Sequence, residues 1–325
     1  TLITCSPTQE PELFRAVVGG LGLLGVTTRV RLRLKPVTSG QLAVVGKVAP
    51  SLSALFAHFE TRYDQAEYLV AWIDGFARGK RLGRAVIHEA NTPPAGGETD
   101  GLSVAAQGLP KRFFGVPRRH MWRLLRPWVH RPGMRLINAM KYHSARFSYR
   151  KPHQVLQSRV AFSFLLDYIP RWRDAYGAEG FIQIQPFIPE ASAAEAFESI
   201  LTRCQALKME PFLAVFKRHR PDDFLLSHAL EGYSLAMDFR VTRKNREALW
   251  RLGHEIGDIV VAHGGRFYFA KDALARPDQV LATLGSERLD AFEARRQSRS
   301  GMIRRHARSL PEIASPREIV ALRPG

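Results

Sequence analysis

Cysteine is nearly absent from this chain: Cys5 and Cys204 are its two thiols in 325 residues. Two thiols so far apart give neither a disulfide framework nor a metal-ligand spacing, and they suit a reducing, cytoplasmic setting. No apolar run is long enough to span a bilayer, and no signal peptide is visible. No His-x-His, paired-carboxylate, nucleophile-elbow or P-loop arrangement stands out either. No metal site, acyl-enzyme chemistry or phosphate cradle is therefore read from the sequence. Negative charge is lacking in one place above all. Residues 111–151 hold twelve Lys or Arg and no Asp or Glu, within a chain of net charge +18.

What is present is a composition that can build a core: 45% hydrophobic residues, among them 19 Phe. The basic stretch interleaves Arg with Phe113, Phe114, Met121, Trp122, Leu124, Leu125, Trp128 and Val129. Such a concentration of cations predicts a polyanionic neighbour, whether acidic lipid, phosphate or nucleic acid, or else a solvated basic loop. A nucleic-acid module is disfavoured, because the cations gather in one region and no recognised motif accompanies them.

The chain does not begin with Met, and residues 1–5 read as the middle of a strand, so the N-terminus is expected to be a cut. A short helix is predicted over 12–18, then a glycine segment over 19–25. Residues 26–34 follow, alternating apolar and basic as a strand with one buried face does. Strands are predicted at 42–48, 68–74 and 84–88. A helix carries Leu52, Leu55, Phe56 and Phe59 on one stripe. Residues 91–110, rich in Gly, Pro, Ser and Thr, read as a mobile loop that leads into the basic stretch. Further on, 161–166 reads as a strand and 168–176 as a short helix.

The region 181–270 gives the clearest topology: strand 181–188, a helix opened by a Ser192/Glu195 capping box, strands 211–216 and 233–240, a helix of about twenty residues stopped at Gly264-Gly265, and a closing strand 266–270. Strand-helix-strand-strand-helix-strand is the ferredoxin-like split unit, and 42–90 looks like a partial copy. The fold class expected is α+β, a broad antiparallel sheet covered by helices on one face.

Several residues are candidates for chemistry. Gly22 and Gly25 admit a close backbone approach, or merely a tight turn. Gln183 and Gln185 share one strand face in apolar surroundings, as a ligand-facing pair or a solvent-facing row. Lys217 ends an apolar strand and could anchor a phosphate or hydroxyl. Lys271, beside Tyr268, could stabilise developing negative charge, although both lysines also read as ordinary strand-end residues. Cys204 falls on the apolar side of its helix and reads as inert core.

Taken together the segments resemble a known family. Residues 12–28, with the run Gly19-Gly-Leu-Gly22-Leu-Leu-Gly25-Val26, look like the end of the second flavin subdomain of vanillyl-alcohol-oxidase (PCMH-type) FAD-linked oxidoreductases. Ala71-Trp72-Ile-Asp74, Leu82-Gly-Arg84, Gln183-x-Gln185, Val215-Phe-Lys217, Met237-Asp-Phe239 and the stretch Gly264 to Asp272 are similar to the decaprenylphosphoryl-ribose 2-oxidase group. The motifs run in order over about residues 10–295.

The resemblance implies a domain plan: 1–37 as the end of the FAD-binding domain, 38–262 as the substrate domain with 91–151 as its mobile basic part, and 263–325 as a return segment and basic tail. It implies FAD as cofactor, with the backbone at Gly22, Gly25 and Val26 against it and Tyr268 at the isoalloxazine. Lys271 would sit near the reacting centre, with Lys217, Gln183, Gln185 and Trp72 around the substrate. The chemistry implied is hydride transfer from a secondary alcohol of a sugar, or of a polyprenyl-phosphate sugar of the cell wall, to flavin N5. A reductase for the second half of an epimerisation is the implied partner. The implied location is the cytoplasmic face of a membrane, met through 111–151. An aldonolactone oxidase or sterol Δ24-reductase relative is the alternative on the same fold.

The sequence also departs from the family. The glycine-rich pyrophosphate loop is absent, so these residues alone are expected to bind FAD poorly and to be inactive. Ser234-Leu-Ala236 replaces the Asn-x-Cys of some relatives, which puts substrate or reactivity in question. The basic tail after about Ala294 has no core pattern.

Overall fold

Apolar alternation pairs into sheet in most of the places where it occurs, residues 26–34 being an exception. The computed structural model describes residues 2–93, 101–109, 111–113, 115–151, 154–164 and 169–304. The main strands are β1 (Gln41–Ala49), β2 (Tyr68–Ile73), β3 (Ala85–Asn91), β6 (Gln154–Ser158), β7 (Phe181–Ile184), β8 (Phe187–Pro189), β9 (Leu213–His219) and β10 (Gly232–Arg240). They form one antiparallel sheet in the order β6-β1-β3-β2-β9-β10-β7, with β8 also on β10. A two-residue hairpin, β4 (Arg112–Phe113) with β5 (Val116–Pro117), stands apart.

One sheet face carries α2 (Leu52–Arg62), α6 (Glu190–Ala206) and α7 (Arg246–Ala262). Their apolar stripes meet the inward residues of the strands, as the spacing of Leu55, Phe56 and Phe59, and of Phe197, Ile200 and Leu201, predicts. Aromatic edges lock the centre. Phe59 meets Phe216 at 4.8 Å, and Phe56 meets Tyr233 at 4.9 Å. Each such ring withdrawn from water contributes roughly 1.5–3 kcal/mol. Cys204 is fully buried in this core, and burial pushes its thiol up, away from reactivity.

The opposite face is covered in part by α4 (Arg131–Ser148). The basic stretch is therefore not one mobile loop: α3 (Met121–Leu125) and α4 both lie within it. His130 caps α4 by accepting from the Gly133 N–H at 3.2 Å, and Arg131 pairs with the buried Glu210 at 2.6 Å. Tyr142 packs on Trp72 and Val86. Tyr149 lies across β1 at Gly46, where a Cβ would come within 2.1 Å of its ring. Helices thus cover both faces, not one. The part of the expected mobile loop over 94–100, and residue 110, lie outside the described residues.

The order β6-β1-β3-β2 repeats the split-unit order, so the partial copy is completed by β6. In the second unit the expected last strand is reduced to a bridge between Arg266 and Phe187. The first strand breaks at Gln185-Pro186, since proline has no N–H to offer a ladder. Residues 161–163 belong to α5 (Arg159–Ser163), not to a strand, and Ser158 caps it; 165–168 lie outside the described residues. Of the expected short helix, Trp172–Tyr176 forms a 3-10 turn. No Ser192/Glu195 capping box forms. The helix already starts at Glu190, and the Ser192 hydroxyl donates to the His263 carbonyl at 2.9 Å.

Residues 2–5 are irregular. So are 25–37, read as containing a strand: Val26, Val30, Leu32 and Leu34 are exposed, because no described strand pairs with them. Before them α1 (Pro11–Val17) buries Leu13 and Ala16. At the far end α8 (Pro277–Leu284) and α9 (Ser286–Arg304) follow, and Leu289 and Phe292 join the main core. Helix α9 thus carries order past Ala294 to Arg304; residues 305–325 lie outside the described residues. No described helix is long and apolar enough to cross a membrane.

Candidate active site

Period-two alternation decides which side chains share the sheet face opposite α2, α6 and α7. On β9 these are Val215, Lys217 and His219. On β10 they are Ser234, Ala236 and Asp238, and on β7 and its end Gln183 and Gln185. Lys217 stands opposite Ser234 in the ladder, and Gln183 stands opposite Asp238. The turn after the Arg266 bridge then lays Tyr268 and Lys271 against this row.

Hydrogen bonds knit the row together. Lys271 Nζ donates to Gln185 Oε1 at 2.7 Å, Gln185 Nε2 donates to Ser234 Oγ at 3.0 Å, and Ser234 Oγ lies 2.7 Å from His219 Nε2. Gln183 Nε2 donates to Asp238 Oδ1. The other Asp238 oxygen, Oδ2, is buried with no hydrogen-bond partner among the described residues. Asp272, itself buried, accepts the backbone N–H of Gln185 at 2.6 Å and that of Tyr268 at 2.5 Å. Rings close one side: His228 lies 4.2 Å from Tyr268 and 4.4 Å from Phe187, and Phe187 lies 4.6 Å from His219.

Charge here is tuned by burial. Lys271 is pushed below its usual value, first by desolvation and then by Lys217 nearby. His219 falls to about 4 from burial, with Lys217 and His228 adding to it, and His228 is lowered chiefly by burial. Both imidazoles are thus neutral at pH 7. Burial raises Asp238 to about 6 against the hydrogen bond from Gln183. The cluster can bind a polar group, hold a cation where negative charge develops, and exclude water behind aromatic rings.

Of the residues singled out from the sequence, Lys271, Tyr268, Gln185 and Lys217 come together here. Gln183 lies on the same face, but its amide is committed to Asp238. Trp72 shares the face on β2, the strand next to β9, where it stands opposite Val215, under Tyr142 and with Lys141 Nζ 4.4 Å from its ring. Gly22, Gly25 and Val26 lie outside the cluster, exposed. Gly22 and Gly25 have positive φ of 76° and 144°, and a Cβ there would meet nothing within 4 Å. The loop after β9 links the two regions: Leu225 N donates to Arg15 O at 3.0 Å, while His228 reaches Tyr268.

His219, His228 and Asp272 were not singled out, and Ser234 was noted only as a departure. His219 was findable, two residues beyond Lys217 and so on its face. Among the described residues no cluster of His, Cys, Asp or Glu is suited to a metal ion.

No family model matches the chain. It is 30% identical over 270 residues, covering 81% of the chain and 55% of the relative, to decaprenylphosphoryl-beta-D-ribose oxidase of Mycolicibacterium smegmatis. It is 28% identical over 178 residues, 50% of the chain and 29% of the relative, to cytokinin dehydrogenase 8 of Oryza sativa subsp. indica. A 35-residue stretch, 11% of the chain and 6% of the relative, is 60% identical to cytokinin dehydrogenase 10 of Oryza sativa subsp. japonica. The chain spans about half the length of the first relative and under a third of the second.

Proposed function

The chain belongs to the FAD-linked oxidoreductases of the vanillyl-alcohol-oxidase, PCMH type, and we propose that it forms the substrate side of an enzyme oxidising a secondary alcohol of a sugar or polyprenyl-phosphate sugar. The observation that carries this reading is the bond from the half-buried Lys271 ammonium to Gln185, beside Tyr268 and an Asp238 oxygen that has no hydrogen-bond partner among the described residues.

The residues present suit FAD. Lys271 offers a fixed cation and Tyr268 an aromatic face, and outside that cluster Gly22 and Gly25 offer exposed bare backbone that a flat group could approach. FAD, when bound, would supply the hydride acceptor. Lys271 would hold positive charge at the reacting centre, where its partial burial weakens screening by water. Gln185 would orient that ammonium, and Lys217 would meet a substrate oxygen or phosphate. Gln183 would bound the sugar, while Trp72 stays covered by Tyr142 and Lys141. Phe187, His228 and Tyr268 would keep water from one side.

The lipid-linked form of the substrate is favoured by α4. Leu136, Met140 and Phe147 are exposed on one stripe at i, i+4 and i+11, with Arg135, Arg146 and Arg150 also exposed. An apolar stripe beside cations suits an anionic membrane surface.

The test uses the full-length protein with FAD bound. Anaerobic mixing with a polyprenyl-phosphoribose should bleach the flavin. Bleaching by aldonolactones, or reoxidation of the reduced flavin by Δ24-unsaturated sterols, with no bleaching by the sugar alcohol, sinks the proposal.

A further inference from the structure

We propose that His219 is a positioning residue, acting through Ser234 to hold the amide of Gln185 with its carbonyl oxygen on Lys271. The inference rests on the reading that Lys271 faces the reacting centre, and it adds a residue which that reading does not use.

The polarity of the hydrogen-bond chain follows from one end. An ammonium only donates, so Gln185 presents Oε1 to Lys271. Its Nε2 then faces Ser234 and donates to Oγ. Oγ, accepting there, still has its hydroxyl proton to give, and His219 Nε2 lies 2.7 Å away. The imidazole is neutral, as its burial and the neighbouring Lys217 require, and in its Nδ1–H tautomer Nε2 accepts that proton. Each group has one role consistent with the next.

Loss of the acceptor cannot be repaired from solvent. Ser234 is fully buried and Gln185 is 5% exposed. A flipped Gln185 amide would aim its NH2 at the ammonium. The chain transmits orientation and not a proton, because a proton crossing Gln185 would require the amide to tautomerise. Phe187 holds the imidazole ring in place at 4.6 Å.

The experiment uses the full-length, FAD-loaded protein and the variants His219→Phe, His219→Gln and Ser234→Ala. His219→Phe removes the acceptor and keeps a ring against Phe187; Gln restores an acceptor. His219→Phe should slow substrate-driven flavin bleaching about tenfold, the value of one buried hydrogen bond, with KM changed less than about twofold. His219→Gln should recover most of the rate. The His219→Phe, Ser234→Ala double variant should be no slower than the slower single one, since both break one chain. A rate within about twofold of the parent for His219→Phe, an effect confined to KM, or multiplicative losses in the double variant would overturn the proposal.

A second readout needs no substrate. The side-chain NH2 protons of Gln185, followed by NMR, should exchange faster in His219→Phe and in Ser234→Ala than in the parent. If exchange is unchanged, His219 does not position Gln185. If exchange accelerates while even the parent fails to bleach with any sugar alcohol, the positioning role stands and the proposed reaction falls.

Discussion

Lys271 Nζ and Gln185 Oε1 meet at 2.7 Å although 86 residues separate them, and Asp272, the next residue, holds the Gln185 backbone N–H at 2.6 Å. Consecutive residues thus grip the side chain and the main chain of the same glutamine. The turn at 268–272 is thereby fixed to the end of β7, which places a cation on the sheet face with little freedom to move.

Replacing Lys271 tests the function of that cation. In the full-length protein, Lys271→Ala should slow substrate-driven flavin reduction by at least about a hundredfold, the scale seen when one fixed charge-stabilising group is removed. FAD should stay bound, as its absorbance will report. Near-normal reduction would remove Lys271 from the mechanism.

Asp272 is a structural test of the same turn. Its buried carboxylate accepts two backbone N–H groups, from Gln185 and Tyr268, and bonds to a charged acceptor contribute about 1.5–3 kcal/mol each. Asp272→Ala should destabilise the protein by about 3–5 kcal/mol in urea titrations. A loss below about 1 kcal/mol would mean that water replaces the carboxylate.

Much of the fold was readable because burial imposes periods. The stripes at Leu52, Leu55, Phe56 and Phe59 and at Leu249, Leu252 and Ile256 became helix faces on the core. Alternation at 26–34 misled, because it says which side chains share a face and not whether a strand exists to pair with. The Ser192/Glu195 spacing misled because Ser192 found a better acceptor in His263. Within the site, Lys271 and Lys217 were legible as cations ending apolar strands, and Gln185 as one of two amides sharing a strand face. Their connection through Ser234 and His219 was not, since those partners lie 15 to 86 residues apart and nothing local marks them.

Asp238 predicts a pH dependence. Burial raises its carboxyl from an ordinary value near 3.8 to about 6. The folded state therefore prefers the protonated form. Stability from this group is fully present below the unfolded value and is lost as pH rises through about 6, a loss of about 3 kcal/mol by neutrality. Asp238→Asn keeps an acceptor for Gln183 and cannot ionise, but its amide hydrogens take the place of an oxygen with no partner. It should stabilise the protein by about 1–2 kcal/mol at pH 7.5, with the gain shrinking toward pH 5. A gain that is absent, or independent of pH, would contradict the raised carboxyl.

The exposed stripe of α4 predicts membrane behaviour that separates charge from apolar insertion. Cations near an anionic surface contribute about 1 kcal/mol each, and salt screens them. The apolar side chains add roughly 1 kcal/mol apiece on entering the interface, and salt leaves that part in place. The full-length protein should sediment with phosphatidylglycerol vesicles and far less with phosphatidylcholine vesicles. Replacing Leu136, Met140 and Phe147 together with Ser should weaken the partitioning about a hundredfold at low salt. These three side chains point away from Trp72 and Tyr142, so flavin bleaching by a soluble sugar substrate should be unaffected. Equal binding to both kinds of vesicle, or none to either, would leave the stripe to some other partner and take away the support it gives to a lipid-linked substrate.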